Sequence, residues 1–325
     1  MALLALTLPV SWPGACAAAA DLPPAPTQAL TQVHITGAFS FERLPDASGQ
    51  STVGLWHRAA LVVPQRYRVV VLPGSGCTGW GPFAAGYTAG LLHAEILLLQ
   101  KPEAEPHGGP APSDCSARFI ARDALSAWES DAVAALREWN AHADLATETP
   151  VPTMVVGVSE GVEVMAQVAA SLPNVVALVA MSHPGLDPWP LARRQAELRG
   201  QRTAWQALEH ALADGGRSDG EILEGRTLRY WRELRTWQVE QPLRDAPWPL
   251  LQASGEDDVL IPPQAYAHFR DAMAGRAAPV CVMRLTGADH GLQGPRGNGL
   301  KKVWALLEDW GRASRVACGG PGLQD

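Results

Sequence analysis

A serine hydroxyl is a poor nucleophile at neutral pH unless a base stands within hydrogen-bond reach. A serine that does chemistry is therefore presented at a turn, where a base can approach it. Ser159 has such a setting. It lies in Gly157-Val158-Ser159-Glu160-Gly161, a G-x-S-x-G pattern. A β-branched apolar run from Pro152 precedes it, and from Glu160 to about Leu172 apolar residues recur at helical spacing. Strand, glycine-flanked turn and helix together describe a nucleophile elbow, the glycines allowing a sharp reversal without a side-chain clash. Ser159 is the candidate nucleophile. The backbone N–H of Glu160, next along the chain, is a candidate donor to a developing oxyanion.

Such a serine needs a base, and the base needs a carboxylate to hold its tautomer and stabilise its charged form. Of nine histidines, His290 stands in Gly287-Ala288-Asp289-His290-Gly291, a loop after a strand pattern and before the last helix pattern. That puts it at the carboxyl edge of a sheet, the edge Ser159 would share. His183, at the end of another strand pattern, is the competing base. The acids Glu256, Asp257 and Asp258 follow a further strand, and any of the three satisfies the chemistry. Asp187 is a fourth candidate.

A second glycine-rich loop, Pro73-Gly74-Ser75-Gly76-Cys77-Thr78-Gly79, follows the strand pattern Tyr67 to Leu72. Literally it is strand then G-x-G-x-x-G, the fingerprint that cradles a dinucleotide pyrophosphate at a helix N-terminus. Trp80-Gly81-Pro82 continues a helix poorly, and the next strand ends in Gln100-Lys101 with Glu103 beyond rather than an acid at its tip. The loop reads better as a source of bare backbone N–H groups, from Ser75 or Gly76, aimed at an oxyanion. A nicotinamide-dependent oxidoreductase stays as the rival reading.

The elements that must position these residues alternate. Strand patterns at 67–72, 94–100, 174–181, 248–254 and 280–285 interleave with helix patterns at 117–143, 263–275 and 301–315. Two short strands, 32–36 and 54–63, form an edge hairpin ahead of them. This predicts an α/β fold: a mostly parallel central sheet with helices on both faces. Between the strands ending at Met181 and starting at Trp248, two long helical stretches, 190–214 and 218–241, read as a lid over about 183–246. Its Trp205, Trp231 and Trp237 suit helix packing or an apolar pocket. Arg193, Arg194, Arg229, Arg232 and Arg235 suit a solvated face or the attraction of a carboxylate-bearing substrate.

The order Ser159, acid, His290, each in a loop after a strand, resembles the α/β-hydrolase superfamily over about 67–315. The family pattern G-x-x-D-x-x-x-P matches Gly255 to Pro262 and puts the acid on Asp258. The Asp289-His290-Gly291 loop is similar to the family's histidine loop. Pro73 departs from it, standing where many members carry His. The resemblance implies a serine esterase working through Ser159, His290 and Asp258 and an acyl-enzyme, with no cofactor, on a small-molecule acyl substrate. A serine peptidase or amidase would use the same residues, and a non-catalytic binding member would keep only the pocket. The family topology also implies two disulfides: Cys77–Cys115, after neighbouring strands, and Cys281–Cys318, joining the last strand to the end of the last helix.

The whole chain is consistent with this. Its 325 residues suffice for one domain over 21–325, and 47% apolar with 18% charged residues is ordinary globular composition. A net charge of −7 argues against nucleic-acid binding. No H-E-x-x-H spacing points to a metal. Residues 1–20 carry no charged side chain and end in Ala18-Ala19-Ala20, which reads as an export signal lacking a basic start, and its apolar run is too short to span a membrane. Cys16 raises lipidation as an alternative. Export implies a periplasmic or secreted protein, where paired cysteines persist.

Overall fold

The computed structural model describes residues 38–109, 111, 114–143, 151–295, 297–313, 315–318 and 323–324. The expected export signal and the expected strand at 32–36 lie outside them. Two antiparallel strands, β1 (Ser40–Pro45) and β2 (Thr52–Arg58), open the fold. Then come β3 (Tyr67–Leu72), the short helix α1 (Ala84–Tyr87), β4 (Ala94–Gln100), α2 (Ala117–Arg122), α3 (Leu125–Ala143) and β5 (Thr153–Val158). A 3-10 turn, Ser159–Val164, leads into α4 (Met165–Ala170), followed by β6 (Val175–Met181). An insertion holds α5 (Pro188–Leu198), α6 (Arg202–Ala213), the hairpin β7 (Ile222–Leu223) and β8 (Arg226–Thr227), α7 (Leu228–Thr236) and α8 (Glu240–Asp245). The chain then adds β9 (Leu250–Gly255), α9 (Pro263–Ala272), β10 (Val280–Leu285), the small hairpin β11 (Gln293–Gly294) and β12 (Gly297–Asn298), α10 (Gly299–Ala313) and β13 (Leu323–Gln324).

Nine strands form one sheet in the order β1-β2-β4-β3-β5-β6-β9-β10-β13. From β4 to β10 every neighbour is parallel; β1, β2 and β13 are the antiparallel edges. The apolar runs are continuous because both faces are covered, and alternate residues serve opposite cores. Val70 and Leu72, with Val155, Leu178 and Ala180, pack on the face carrying α3 and α4. Tyr67, Val69 and Val71, with Met154, Val156, Ala177 and Val179, pack on the face carrying α1 and α10. Each buried Val, Leu or Met side chain among them contributes about 1.5–3 kcal/mol relative to exposure. The parallel register puts the ends of β3, β5, β6, β9 and β10 on one edge, and the loops leaving that edge build the site.

Three helical expectations change in detail, each for a local reason. The stretch 117–143 is two helices, because Asp123 leaves helical conformation at ψ 103 and turns its carboxylate inward. The stretch 190–214 is broken at Gly200, whose φ of +69 closes a Schellman motif: its N–H donates to Glu197 O and that of Gln201 to Ala196 O. The start of 218–241 is not helical. Glu224 and Gly225 both take positive φ, 53 and 76, as a two-residue hairpin turn requires. Thr227 then caps α7, its hydroxyl accepting the Tyr230 N–H. Among the described residues no helix is long and apolar enough to cross a membrane.

Candidate active site

Ser159 sits at the tip of β5 with φ +50, a left-handed conformation that is uncommon for a non-glycine residue and costs about 1–3 kcal/mol. Neither glycine of the motif takes positive φ; they are required for space instead. A Cβ on Gly157 would stand 2.7 Å from the Val162 backbone, and one on Gly161 only 2.3 Å from Leu72 O. The elbow thus folds back onto itself and onto the end of β3. Gly74, just after β3, is held less tightly, its absent Cβ 3.2 Å from Val158 O, a contact that a shift of a few tenths of an ångström would relieve.

His290 Nε2 is 3.2 Å from Ser159 Oγ, and His290 Nδ1 is 2.8 Å from Asp258 Oδ2. The Asp258 carboxylate is locked by further bonds. Oδ1 accepts the N–H of Leu260 at 2.8 Å and of Ile261 at 3.1 Å, and Oδ2 accepts the Tyr266 hydroxyl at 2.8 Å. Burial alone would raise this carboxyl, but the hydrogen bond and charge of His290, with the Tyr266 and Leu260 donors, outweigh it and hold Asp258 below its ordinary range. The His290 loop is fixed from two sides. Ser182, at the end of β6, donates its hydroxyl to His290 O at 2.5 Å. Gly255 lets the loop backbone lie against β9, since a Cβ there would meet Ala288 O at 2.1 Å.

The remaining acid and base candidates go elsewhere. Glu256 and Asp257 are exposed. Asp187 accepts the N–H groups of Val239 at 2.7 Å and Glu240 at 3.1 Å, capping α8. His183 is buried and does not bond Ser159; its Nδ1 accepts the Gly185 N–H at 3.0 Å.

A cavity of about 330 Å³ opens at the serine, lined by Ser159, Glu160, His290, Gly74 and Ser75 on the sheet side and by Leu191, Tyr230, Leu234 and Ile261 opposite. Ser75 is on its wall; Gly76, with φ +90, is not. Helices α5 and α7 of the insertion thus cover the site. Of the tryptophans singled out, Trp205 packs against Trp189 at a tilt, with ring centroids 4.4 Å apart, and Trp231 and Trp237 donate to Leu223 O and Glu163 O. None lines the cavity, and neither do Arg193, Arg194, Arg229, Arg232 and Arg235. The glycine-rich loop after β3 leads to α1, only four residues long, so no extended helix N-terminus faces a pyrophosphate. Cys77–Cys115 and Cys281–Cys318 are at disulfide distance, with Cα separations of 5.4 and 5.1 Å.

One part of the site has no single sequence signal. The Glu160 carboxylate accepts Lys101 Nζ, Arg226 Nη2 at 3.2 Å and the Tyr230 hydroxyl at 3.0 Å. Asp123 accepts the same two cations, Lys101 at 3.0 Å and Arg226. Two cations and two anions balance in a buried cluster, with the Arg226 guanidinium 4.3 Å above the Tyr230 ring. Burial lowers the Lys101 ammonium below its ordinary value, against the opposing pull of Glu160. This cluster joins the residue after Ser159 to the end of β4, the end of α2 and the insertion. Lys101 directly after the largely apolar strand β4 was the one hint.

No protein-family model matches the chain, and no curated protein matches it by sequence. Solved structures do. An esterase of Pyrococcus furiosus superposes with TM-score 0.55 at 16% identity over 89% of this chain and 97% of that one. Est1E from Butyrivibrio proteoclasticus, with ferulic acid bound, gives 0.56 at 14% identity over 84% and 99%. The acylaminoacyl peptidase of Pyrococcus horikoshii gives 0.54 at 12%, this chain spanning 41% of that one. The chain has the α/β-hydrolase fold.

Proposed function

We propose that this protein is a serine hydrolase that cleaves carboxylic esters of small molecules. The observation that carries the reading is the unbroken line of hydrogen bonds Asp258–His290–Ser159 ending in a cavity at the elbow. In the proposed cycle His290 Nε2 takes the Ser159 proton as Oγ bonds to the ester carbonyl carbon. The carbonyl electron pair moves to oxygen, where the Glu160 N–H and the Ser75 or Gly76 N–H meet it. Asp258 stabilises the imidazolium. The C–O bond then breaks, the leaving alkoxide takes the proton from His290, and water repeats the sequence on the acyl-enzyme. The insertion 183–246 acts as the lid. The cavity volume suits a small ester better than an extended polypeptide. The two disulfides support export to an oxidising compartment.

A fluorophosphonate probe tests this. It is expected to label the wild type and not Ser159→Ala, and the wild type to hydrolyse p-nitrophenyl esters of short acyl chains. Equal labelling of both proteins removes Ser159 from the role, and turnover of amides in preference to matched esters replaces esterase by amidase.

A further inference from the structure

Two polar atoms in the wall of the cavity have no partner. They are His183 Nε2 and Glu163 Oε2, both buried, on residues that line the cavity beside Ser159 and Glu160. An unsatisfied buried donor or acceptor is costly, and of the eleven such side-chain atoms among the described residues these two alone belong to residues that line this cavity. Two on adjacent residues of a binding cavity point to a ligand. The donor sense of His183 is fixed by its surroundings. His183 Nδ1 accepts the Gly185 N–H, so the ring proton is on Nε2, which can only donate. Burial holds the ring neutral, its pKa pushed down to about 3. Burial, with the Glu160 charge beside it, raises the Glu163 carboxyl well above its ordinary value. Glu163 Oε1 lies 3.8 Å from His183 Nε2, too long for a hydrogen bond but a span that one oxygen atom bridges.

From this geometry we propose that His183 and Glu163 form a recognition site for a hydroxyl group on the substrate. It rests on the ester-hydrolase reading above and names the substrate class: an otherwise apolar ester bearing a hydroxyl near its scissile carbonyl. A hydroxyl oxygen accepts from His183 Nε2–H and donates its own proton to Glu163. An ammonium has no lone pair for the His183 N–H. A carboxylate would face Glu160, while Lys101 and Arg226 are already taken by Glu160 and Asp123 and Arg199, the cation that lines the cavity, donates to Leu260 O on the far wall. The other side of the cavity is mostly apolar, with Pro188, Leu191, Ala192, Leu234 and Ile261 taking the rest of the molecule and Gln195 and Arg199 turned to Leu260 O.

Matched substrates test it. On the acyl side, p-nitrophenyl 3-hydroxybutyrate is compared with p-nitrophenyl butyrate; on the alcohol side, glyceryl monobutyrate with propyl butyrate. A site built to bond a hydroxyl discriminates strongly against the analogue that lacks it. Wild type is expected to prefer the hydroxylated member of one pair by about tenfold or more in kcat/KM. The ratio is expected to fall toward one in His183→Phe and Glu163→Met, and to survive in Glu163→Gln, which keeps a donor and an acceptor. A wild-type ratio within about twofold for both pairs overturns the proposal, as water would then fill the site as a structural ligand. Because the wild-type ratio decides, misfolded variants do not rescue or sink it. Failure of fluorophosphonate labelling would instead refute the esterase reading, so the two failures are distinguishable.

Discussion

Gly161→Ala is the sharpest perturbation of the elbow, since it changes no group proposed to react. The added Cβ would stand 2.3 Å from Leu72 O and 2.7 Å from Pro73 O, both backbone atoms. Real Cβ contacts essentially never fall under 3.0 Å, so the elbow and the end of β3 must separate by about 0.7 Å or more. No flexible side chain absorbs that movement, because the atoms met are backbone oxygens where the 3-10 turn packs on the end of β3. The strain is expected to cost about 1–3 kcal/mol of stability. The same shift is transmitted to Ser159, two residues away, and to its 3.2 Å contact with His290. A displacement approaching 1 Å in a reacting group costs about 10²-fold in rate. Ester kcat/KM measured beside urea unfolding reads both effects. Gly86→Ala is the control, a glycine in α1 with nothing within 4 Å of an added Cβ. Activity of Gly161→Ala within about twofold of wild type, with unchanged stability, would refute the close-contact account of the motif.

Three further outcomes follow from the surroundings of the site. Lys101→Met leaves Asp123 and Glu160 sharing Arg226 alone, and removing one member of a buried ionic cluster is expected to cost about 3–5 kcal/mol; a loss below about 1 kcal/mol by urea denaturation contradicts the buried-cluster account. Glu163→Gln should stabilise the protein increasingly as pH rises. The raised folded carboxyl keeps a proton that the unfolded chain releases above about pH 4.3, so wild-type stability falls with pH by up to about 1.4 kcal/mol per unit until the folded group ionises. A melting-temperature gain equal at pH 5 and pH 8 would reject that assignment. Tyr266→Phe takes one of the hydrogen bonds holding Asp258, and a loss of about three- to tenfold in kcat/KM is expected; no change would mean that Tyr266 does not help to orient the carboxylate.

Much of the sheet was legible because its strands are short apolar runs ended by turn residues, and a parallel sheet puts every such end at one edge. Ser159 and His290 were each picked out that way from a local pattern, and the acid was narrowed to Glu256, Asp257 and Asp258. Choosing Asp258 over its neighbours needed the family pattern; the structure separates them by burial, which a run of three acids does not reveal. The elbow glycines were legible as glycines but for a different reason, since Ser159 takes the unusual φ and they clear the way. The hairpin at 222–227 was masked by helical spacing on either side, although Glu224-Gly225 is turn chemistry. The cluster of Lys101, Asp123, Glu160 and Arg226 was not legible, because its members come from four segments and each alone reads as a surface charge. His183 was legible as a histidine at a strand end, but its unpaired nitrogen exists only once Gly185 has fixed the tautomer.

The segment between β4 and α2 has a consequence of its own. It begins at Lys101, which grips the residue beside the nucleophile, and nears its end at Cys115, which is bonded to Cys77 two residues past Ser75. The two backbone donors proposed for the oxyanion therefore hang from opposite ends of a single connector, one by charge and one by a covalent link. A change of length between its two anchorages is expected to alter how far apart those donors stand, although neither anchorage lines the cavity.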